Sequence, residues 1–155
     1  MTAAAGSKGF TLLELVVALA IAAILFTVVV PVAMHRQGHG ALVRSAKDLG
    51  TALRLTRSRA IADDRPAALL VDVGNALYRP AGAAQPSAFP RGTRVRLLTT
   101  EDEELSGTTG TIRFFPDGSS TGGGVTLSLG RDRYEILVDW LTGGVSLHER
   151  PATAP

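Results

Sequence analysis

A lone carboxylate, Glu14, follows Gly9-Phe10-Thr11-Leu12-Leu13 and stands near the head of an otherwise uncharged stretch that runs to Met34. Left unpaired in a membrane-length helix, such a group costs roughly 2.5–3.5 kcal/mol even on a lenient insertion scale, so it calls for a cationic partner. Its chemistry is that of an ion pair formed in a medium of low dielectric constant.

The remaining clusters that could do chemistry weaken on inspection. Gly118-Ser119-Ser120-Thr121-Gly122 matches G-x-S-x-G, and Asp139 and His148 follow in the order of an α/β-hydrolase triad. That elbow needs a strand turning into a helix, whereas this one leads through Gly122, Gly123 and Gly124 into another strand on a small domain. A turn with chemistry supplied by Pro116-Asp117-Gly118 is the expected structure, and no enzymatic activity is expected. The same glycines lack the following Lys and helix of a phosphate cradle. His35 and His39 stand four apart but beside Gly38 and Gly40 and without a carboxylate partner, so neither a metal site nor any other cofactor is expected. Glu101-Asp102-Glu103-Glu104 lacks the alternating ligands and turn glycine of a calcium loop and reads as a solvated acidic excursion.

The elements that must carry these residues follow from length and periodicity. The 155 residues provide for one modest domain and a membrane segment, and 16 Lys+Arg against 14 Asp+Glu leave a net charge of only +2, too slight by itself to argue for nucleic acid or an acidic substrate. The absence of cysteine excludes disulfides, Cys-based zinc sites and a thiol nucleophile. As a helix, residues 10–34 span on the order of 35 Å, enough to cross a hydrocarbon core of about 30 Å. A secretory signal has a shorter apolar core closed by an A-x-A-like site. The present run is longer, is interrupted by Glu14 and has no such site before Pro31, so a membrane anchor is favoured over a signal removed at its far end. Lys8 lies before the span and Arg36, Arg44 and Lys47 lie after it, so cation counting does not set the orientation.

Pro31 is expected to bend or loosen the helix, and Gly38 with Gly40 to soften it again. Beyond them Leu42, Ala46, Leu49, Leu53, Thr56 and Ala60 recur at spacings of four and three, an apolar stripe on one helix face. Lys47, Arg54 and Arg57 flank the stripe as a basic side that is either wet or meets another subunit. Asp63-Asp64-Arg65-Pro66 ends the helix. From Ala67 the period becomes two, and strands are expected over 69–73, 94–98, 111–115, 125–129, 134–140 and 145–147. Val125, Leu127 and Leu129 share one face, as do Tyr134, Ile136, Val138 and Trp140. Thr142-Gly143-Gly144 is expected to form a tight hairpin between the last two strands, and residues 80–92 and 101–104 to be irregular. The fold class is α+β: a long N-terminal helix, transmembrane in its first half and amphipathic in its second, packed on a small, largely antiparallel β-sheet domain in one sheet or two.

Gly9 followed by Phe10-Thr11-Leu12-Leu13-Glu14 and an apolar helix with Pro31 resembles the type IV prepilin signal. That resemblance implies cleavage by a membrane peptidase after Gly9, methylation of the new amino terminus at Phe10, and an assembly role for Glu14. Ile112-Arg113-Phe114-Phe115-Pro116-Asp117-Gly118-Ser119-Ser120, the glycines 122–124 and Leu141-Thr142-Gly143-Gly144-Val145 resemble the carboxy-terminal signature of the family comprising pseudopilin H and the related minor pilin FimT. Phe115, Pro116, Asp117, Gly118, Thr142 and Gly143 are then family-motif positions.

The resemblance implies a pilin-like chain with a leader at 1–9, a transmembrane helix at 10–34, an amphipathic continuation at 35–64 and a periplasmic β-rich domain at 65–155. It implies a minor pseudopilin of type II secretion, a structural subunit near the pseudopilus tip that aids export of folded proteins across the outer membrane. Its partners would be the other minor pseudopilins, the major pseudopilin, the prepilin peptidase and the bacterial inner membrane. The alternative is a FimT-like minor pilin in DNA uptake. DNA contact is disfavoured because the chain after Thr142 carries only Arg150 as a fixed cation, beside Glu149. The lack of cysteine mildly favours the pseudopilin, since the resembling pilins often carry a carboxy-terminal disulfide.

Overall fold

The structure, a computed structural model, describes residues 12–151, with side chains described over 12–24 and 40–150. Gly9 and Phe10 therefore lie outside the described residues, as do the side chains of Pro31, His35 and His39. The chain divides into two compact units, Met1–Gln37 and Gly38–Pro155.

One helix, α1 (Leu12–Ala62), carries residues of both units, and its helical assignment passes through Pro31, Gly38 and Gly40. In the first unit Leu12, Leu13, Leu19 and Ile24 are all exposed. Among the described residues no helix is long and apolar enough to cross a membrane. The expected span covers residues 10–34, and its side chains from residue 25 onward are outside that description.

In the second unit the stripe expected from the 3.6-residue period is buried without exception: Leu42, Ala46, Leu49, Leu53, Thr56 and Ala60 are each 0% exposed. Thr56, the polar member, satisfies its hydroxyl by donating to the Ala52 carbonyl at 2.8 Å. The helix closes in a Schellman arrangement. Asp64 adopts φ 49°, the Arg65 N–H donates to the Ala60 carbonyl at 3.2 Å and the Asp64 N–H to that of Ile61 at 3.4 Å. Pro66 then bars further helix.

Among the described residues nine strands follow: β1 (Ala67–Asp72), β2 (Leu77–Arg79), β3 (Ser87–Ala88), β4 (Arg94–Leu98), β5 (Glu104–Ser106), β6 (Thr109–Phe114), β7 (Gly123–Leu129), β8 (Asp132–Val138) and β9 (Val145–Pro151). They form two sheets, a five-stranded one in the order β3-β2-β1-β6-β5 and a four-stranded one in the order β4-β7-β8-β9, with every pairing antiparallel. The helix stripe, Leu69, Val71, Ile112 and Phe114 of the first sheet, and Val125, Leu127, Tyr134, Ile136 and Val138 of the second belong to one buried cluster. The α+β class and the antiparallel domain are thus as expected, with the open choice resolved as two sheets.

Several expectations are corrected. Residues 77–79, 87–88 and 104–106 are strands, short enough that no alternation can be read in them. Strand β8 ends at Val138, and Trp140 does not continue its buried face but stands 65% exposed in the turn that follows. The acidic run is not wholly solvated. Residues Glu101–Glu103 make one 3-10 turn that buries Glu103, 5% exposed, against β6. Thr111 and Arg113 stand two apart on that strand and so share a face. Arg113 Nε lies 2.7 Å from Glu103 Oε1, and the Thr111 hydroxyl donates to Oε2. Cross-strand register also sets Arg150, the one fixed cation after Thr142, in a row with Arg94, Ser128 and Arg133 from earlier in the chain.

Burial pushes the Glu103 carboxyl upward, but the hydrogen bonds from Arg113 and Thr111 and the Arg113 charge outweigh it and hold the group below its ordinary value. A depressed carboxylate contributes stability that is fully present above its unfolded value, about 4.3, and is lost as pH falls through the lower folded value. Glu103→Gln is therefore expected to destabilise the domain by on the order of 2 kcal/mol at pH 7. In denaturant unfolding from pH 7 down to pH 3, the gap between wild type and variant should narrow as the wild-type carboxylate is protonated; a gap independent of pH would contradict the assignment.

Candidate functional site

The motif positions far apart in sequence meet at two turns. Phe115-Pro116-Asp117-Gly118 is a turn with Pro at its second position. The Gly118 N–H donates to the Phe115 carbonyl at 2.9 Å, and the Phe115 N–H donates to the Ser119 carbonyl at 3.0 Å. Gly118 has φ 84°, the left-handed conformation that ends such a turn in a bulge. Asp117 Oδ1 accepts from the Ser119 N–H at 2.9 Å and from its hydroxyl at 2.6 Å.

The second turn occupies residues 139–144 between β8 and β9, longer than the tight hairpin expected. The Gly143 N–H donates to the Asp139 carbonyl, and the Asp139 N–H to that of Gly144, each at 2.9 Å. Asp139 Oδ1 accepts from both the N–H and the hydroxyl of Thr142 at 2.8 Å. The two aspartates thus play the same part, bracing a turn through a hydroxyl-bearing residue two or three positions on. The Ser119 side-chain hydrogen bond foremost holds the Asp117 carboxyl below its ordinary value, and the Thr142 backbone hydrogen bond foremost does so for Asp139.

Arg57, from the helix, joins the two turns. Its Nε donates to the Gly118 carbonyl at 2.9 Å. A Cβ added at Gly143, where φ is 61°, would stand 2.2 Å from that same carbonyl oxygen and 2.7 Å from Arg57 Nε. A Cβ at Gly118 would meet Arg57 Nη2 at 2.8 Å. Both motif glycines are needed because backbone, backbone and guanidinium pack within a space that leaves no room for a side chain. Neighbouring arginines act alike: Arg54 Nη2 donates to the Val145 carbonyl at 3.1 Å, and Arg59 Nη1 to the carbonyl of Ala81 in the loop between β2 and β3. The flank expected to be wet or intermolecular therefore uses Arg54 and Arg57 to hold the domain's own loops. Their spacing beside the apolar stripe was visible in the sequence, but their acceptors are backbone atoms that carry no residue-type signal.

The hydrolase-like residues are engaged separately. Ser120, 6% exposed, donates through Oγ to the Arg113 carbonyl at 2.8 Å and accepts from the Gly122 N–H at 3.0 Å. Asp139 serves its own turn, and His148 Nε2 lies 3.2 Å from Ser146 Oγ. No group of three or more His, Cys, Asp or Glu suited to a metal occurs among the described residues. Glu14 lies exposed in the first turn of α1.

The pattern of the family described as type II transport protein GspH matches residues 45–144, a range that includes Arg57 and both turns. The prokaryotic N-terminal methylation motif matches residues 5–30, which include Gly9, Phe10 and Glu14. The chain is 32% identical over 139 residues to type II secretion system protein H of Xanthomonas campestris pv. campestris, covering 89% of this chain and 81% of that protein. The fold is similar to that of the minor pseudopilin EpsH from the type 2 secretion system of Vibrio cholerae, with a TM-score of 0.55, 12% identity, and coverage of 70% of this chain and 97% of that one.

Gly143→Ala combines a left-handed conformation with a backbone clash and is expected to cost about 2–4 kcal/mol. Arg57→Ala, which removes one charged donor, is expected to cost about 1–2 kcal/mol. Because the two positions share one contact, the double variant should lose less than the sum. Urea unfolding of the purified protein, followed by far-UV circular dichroism because Trp140 is already exposed, reads all three; simple additivity would show that the two turns are not coupled through Arg57.

Proposed function

The chain belongs to the GspH family of type II transport proteins, and on that premise we propose that it is assembled as a minor pseudopilin at or near the tip of a periplasmic pseudopilus. In this reading residues 1–9 are a leader removed by prepilin peptidase, residues 10–34 hold the precursor in the inner membrane, and residues 65–155, with the amphipathic helix 35–64, form the periplasmic part. The observation that supports it most directly is the pairing, in one chain, of a methylation motif over residues 5–30 with the GspH pattern over residues 45–144. The family is one of structural subunits, and the two motif turns fit that role, since their hydrogen-bonding groups are spent on one another and on Arg57.

Glu14 and Phe10 carry the assembly step. Cleavage after Gly9 would expose an amine on Phe10, and the amine of an adjacent subunit would supply the cation that a carboxylate in lipid requires. Pairing at a fixed height would set axial register as subunits leave the bilayer, while the exposed apolar side chains of residues 12–24 exchange lipid for neighbouring helices. The FimT-like alternative is no better supported by the matches.

Deletion of the gene is expected to abolish protein export and leave transformation intact; the reverse pattern would replace secretion with DNA uptake. Glu14→Ala should leave the β-domain folded yet reduce co-purification with the other pseudopilins by about tenfold or more. Amino-terminal sequencing of the native protein should begin at a methylated Phe10, and an intact leader would overturn the assembly scheme.

A further inference from the structure

The outer face of the four-stranded sheet is divided along its strands into a basic half and an apolar half. Register places Arg94, Ser128, Arg133 and Arg150 in one cross-strand row, Arg96, Thr126, Glu135 and His148 in the next, and Leu98, Gly124, Leu137 and Ser146 in the third. Residues directly opposite in a ladder share a face, so the three rows form one surface. Its acidic member, Glu135, is taken up by Arg150, with Nε to Oε2 at 3.1 Å. Arg94, Arg96 and Arg133 remain exposed beside a groove of about 780 Å³, whose lining they share with Asp132 and Glu135, so that arginines outnumber carboxylates there by three to two.

The apolar half is built on glycine. Leu98 and Leu137 flank Gly124 on neighbouring strands, and Leu137 leans over it, since a Cβ there would meet Leu137 Cδ2 at 2.7 Å. Beyond the end of β8, the Cβ and backbone of Trp140 pass close to Gly122, the Trp140 Cβ 3.0 Å from where a Gly122 Cβ would stand. Leu98, Trp140 and Leu141 are 68%, 65% and 64% exposed. Leu98 and Leu137 form an exposed apolar strip beside arginine, and an apolar patch rimmed by charge marks a protein contact surface.

We infer that this sheet face docks a neighbouring pseudopilus subunit whose contacting surface carries carboxylates beside an apolar side chain. The carboxylates meet Arg94, Arg96 and Arg133, and the apolar group lies on the strip formed by Leu98 and Leu137. Charge complementarity identifies the acidic half of the partner. The adjoining strip and the Glu135–Arg150 pair in the middle of the face favour a protein over a phosphate backbone, which would be tracked by cations without an embedded carboxylate. The inference rests on the proposed pseudopilin function and adds the face and the partner's chemistry.

A photo-crosslinking residue placed at position 98 or 137 of the full-length protein, expressed in its own host with its secretion system, tests it. Adducts are probed with antibodies to each sister pseudopilin. Both positions should give an adduct with a sister subunit, whereas a residue at position 84 in the loop between β2 and β3 should not. Arg94→Glu with Arg133→Glu should lower the yield about tenfold, while Arg94→Lys with Arg133→Lys should retain it. Unchanged thermal unfolding in both variants keeps the comparison to surface charge.

Absence of adducts from 98 and 137, or a yield indifferent to charge reversal, overturns the inference. So does charge reversal that spares the adduct but abolishes a DNA gel shift, which would assign the face to nucleic acid. If the gene deletion blocks export and the doubly reversed variant restores it fully, this inference fails alone; if the deletion itself leaves export intact, the pseudopilin function fails.

Discussion

The donation from Arg57 to the Gly118 carbonyl, made directly beneath Gly143, is the contact on which the arrangement of the β-domain depends. It ties three distant pieces of chain to one point: the helix, the turn that carries the chain from the first sheet to the second, and the hairpin that closes the second sheet. A guanidinium suits this because its fork of donors reaches several acceptors while its stem lies along the helix surface. Arg54 and Arg59 extend the same device to Val145 and Ala81, so a helix that contributes its apolar stripe to the core also anchors the loops around it.

This division of labour separates what must be rigid from what is free to bind. The apolar stripe and both sheets supply a single buried cluster, and the motif turns satisfy their own polar groups with Asp117 and Asp139. Glu103 does the same for the outer side of the first sheet, where Arg113 and Thr111 would otherwise face solvent without a carboxylate. On the outer face of the second sheet the Glu135–Arg150 pair occupies only the middle, and Arg94, Arg96, Arg133, Leu98 and Leu137 stand exposed around it. For a filament subunit that arrangement is economical: internal polar groups are occupied at home, and the exposed part of that face is left for a neighbour.

The amphipathic helix was legible because a period of 3.6 is a one-dimensional consequence of a buried face, and all of its expected core positions are buried. Strands β4, β7 and β8 were legible for the same reason with a period of two. Trp140 was misplaced because alternation was carried two residues past Val138, into a turn whose course is set by Asp139 and Thr142 rather than by hydrophobicity. Strands β2, β3 and β5 were missed since two or three residues hold no period, and their pairing energy comes from partners elsewhere in the chain.

The sequence by itself determined the helix, its buried stripe and terminus, the antiparallel character of the domain, and the family signatures at both ends, all of which are local or periodic properties of neighbouring residues. Only the tertiary structure decided that there are two sheets, that Glu103 turns inward, that Arg57 is a clamp and not a wet flank, and that Arg94, Arg133 and Arg150 form one row. Each of those depends on register or on a backbone acceptor distant in sequence, and neither leaves a mark in the identity of the residues until the chain is folded.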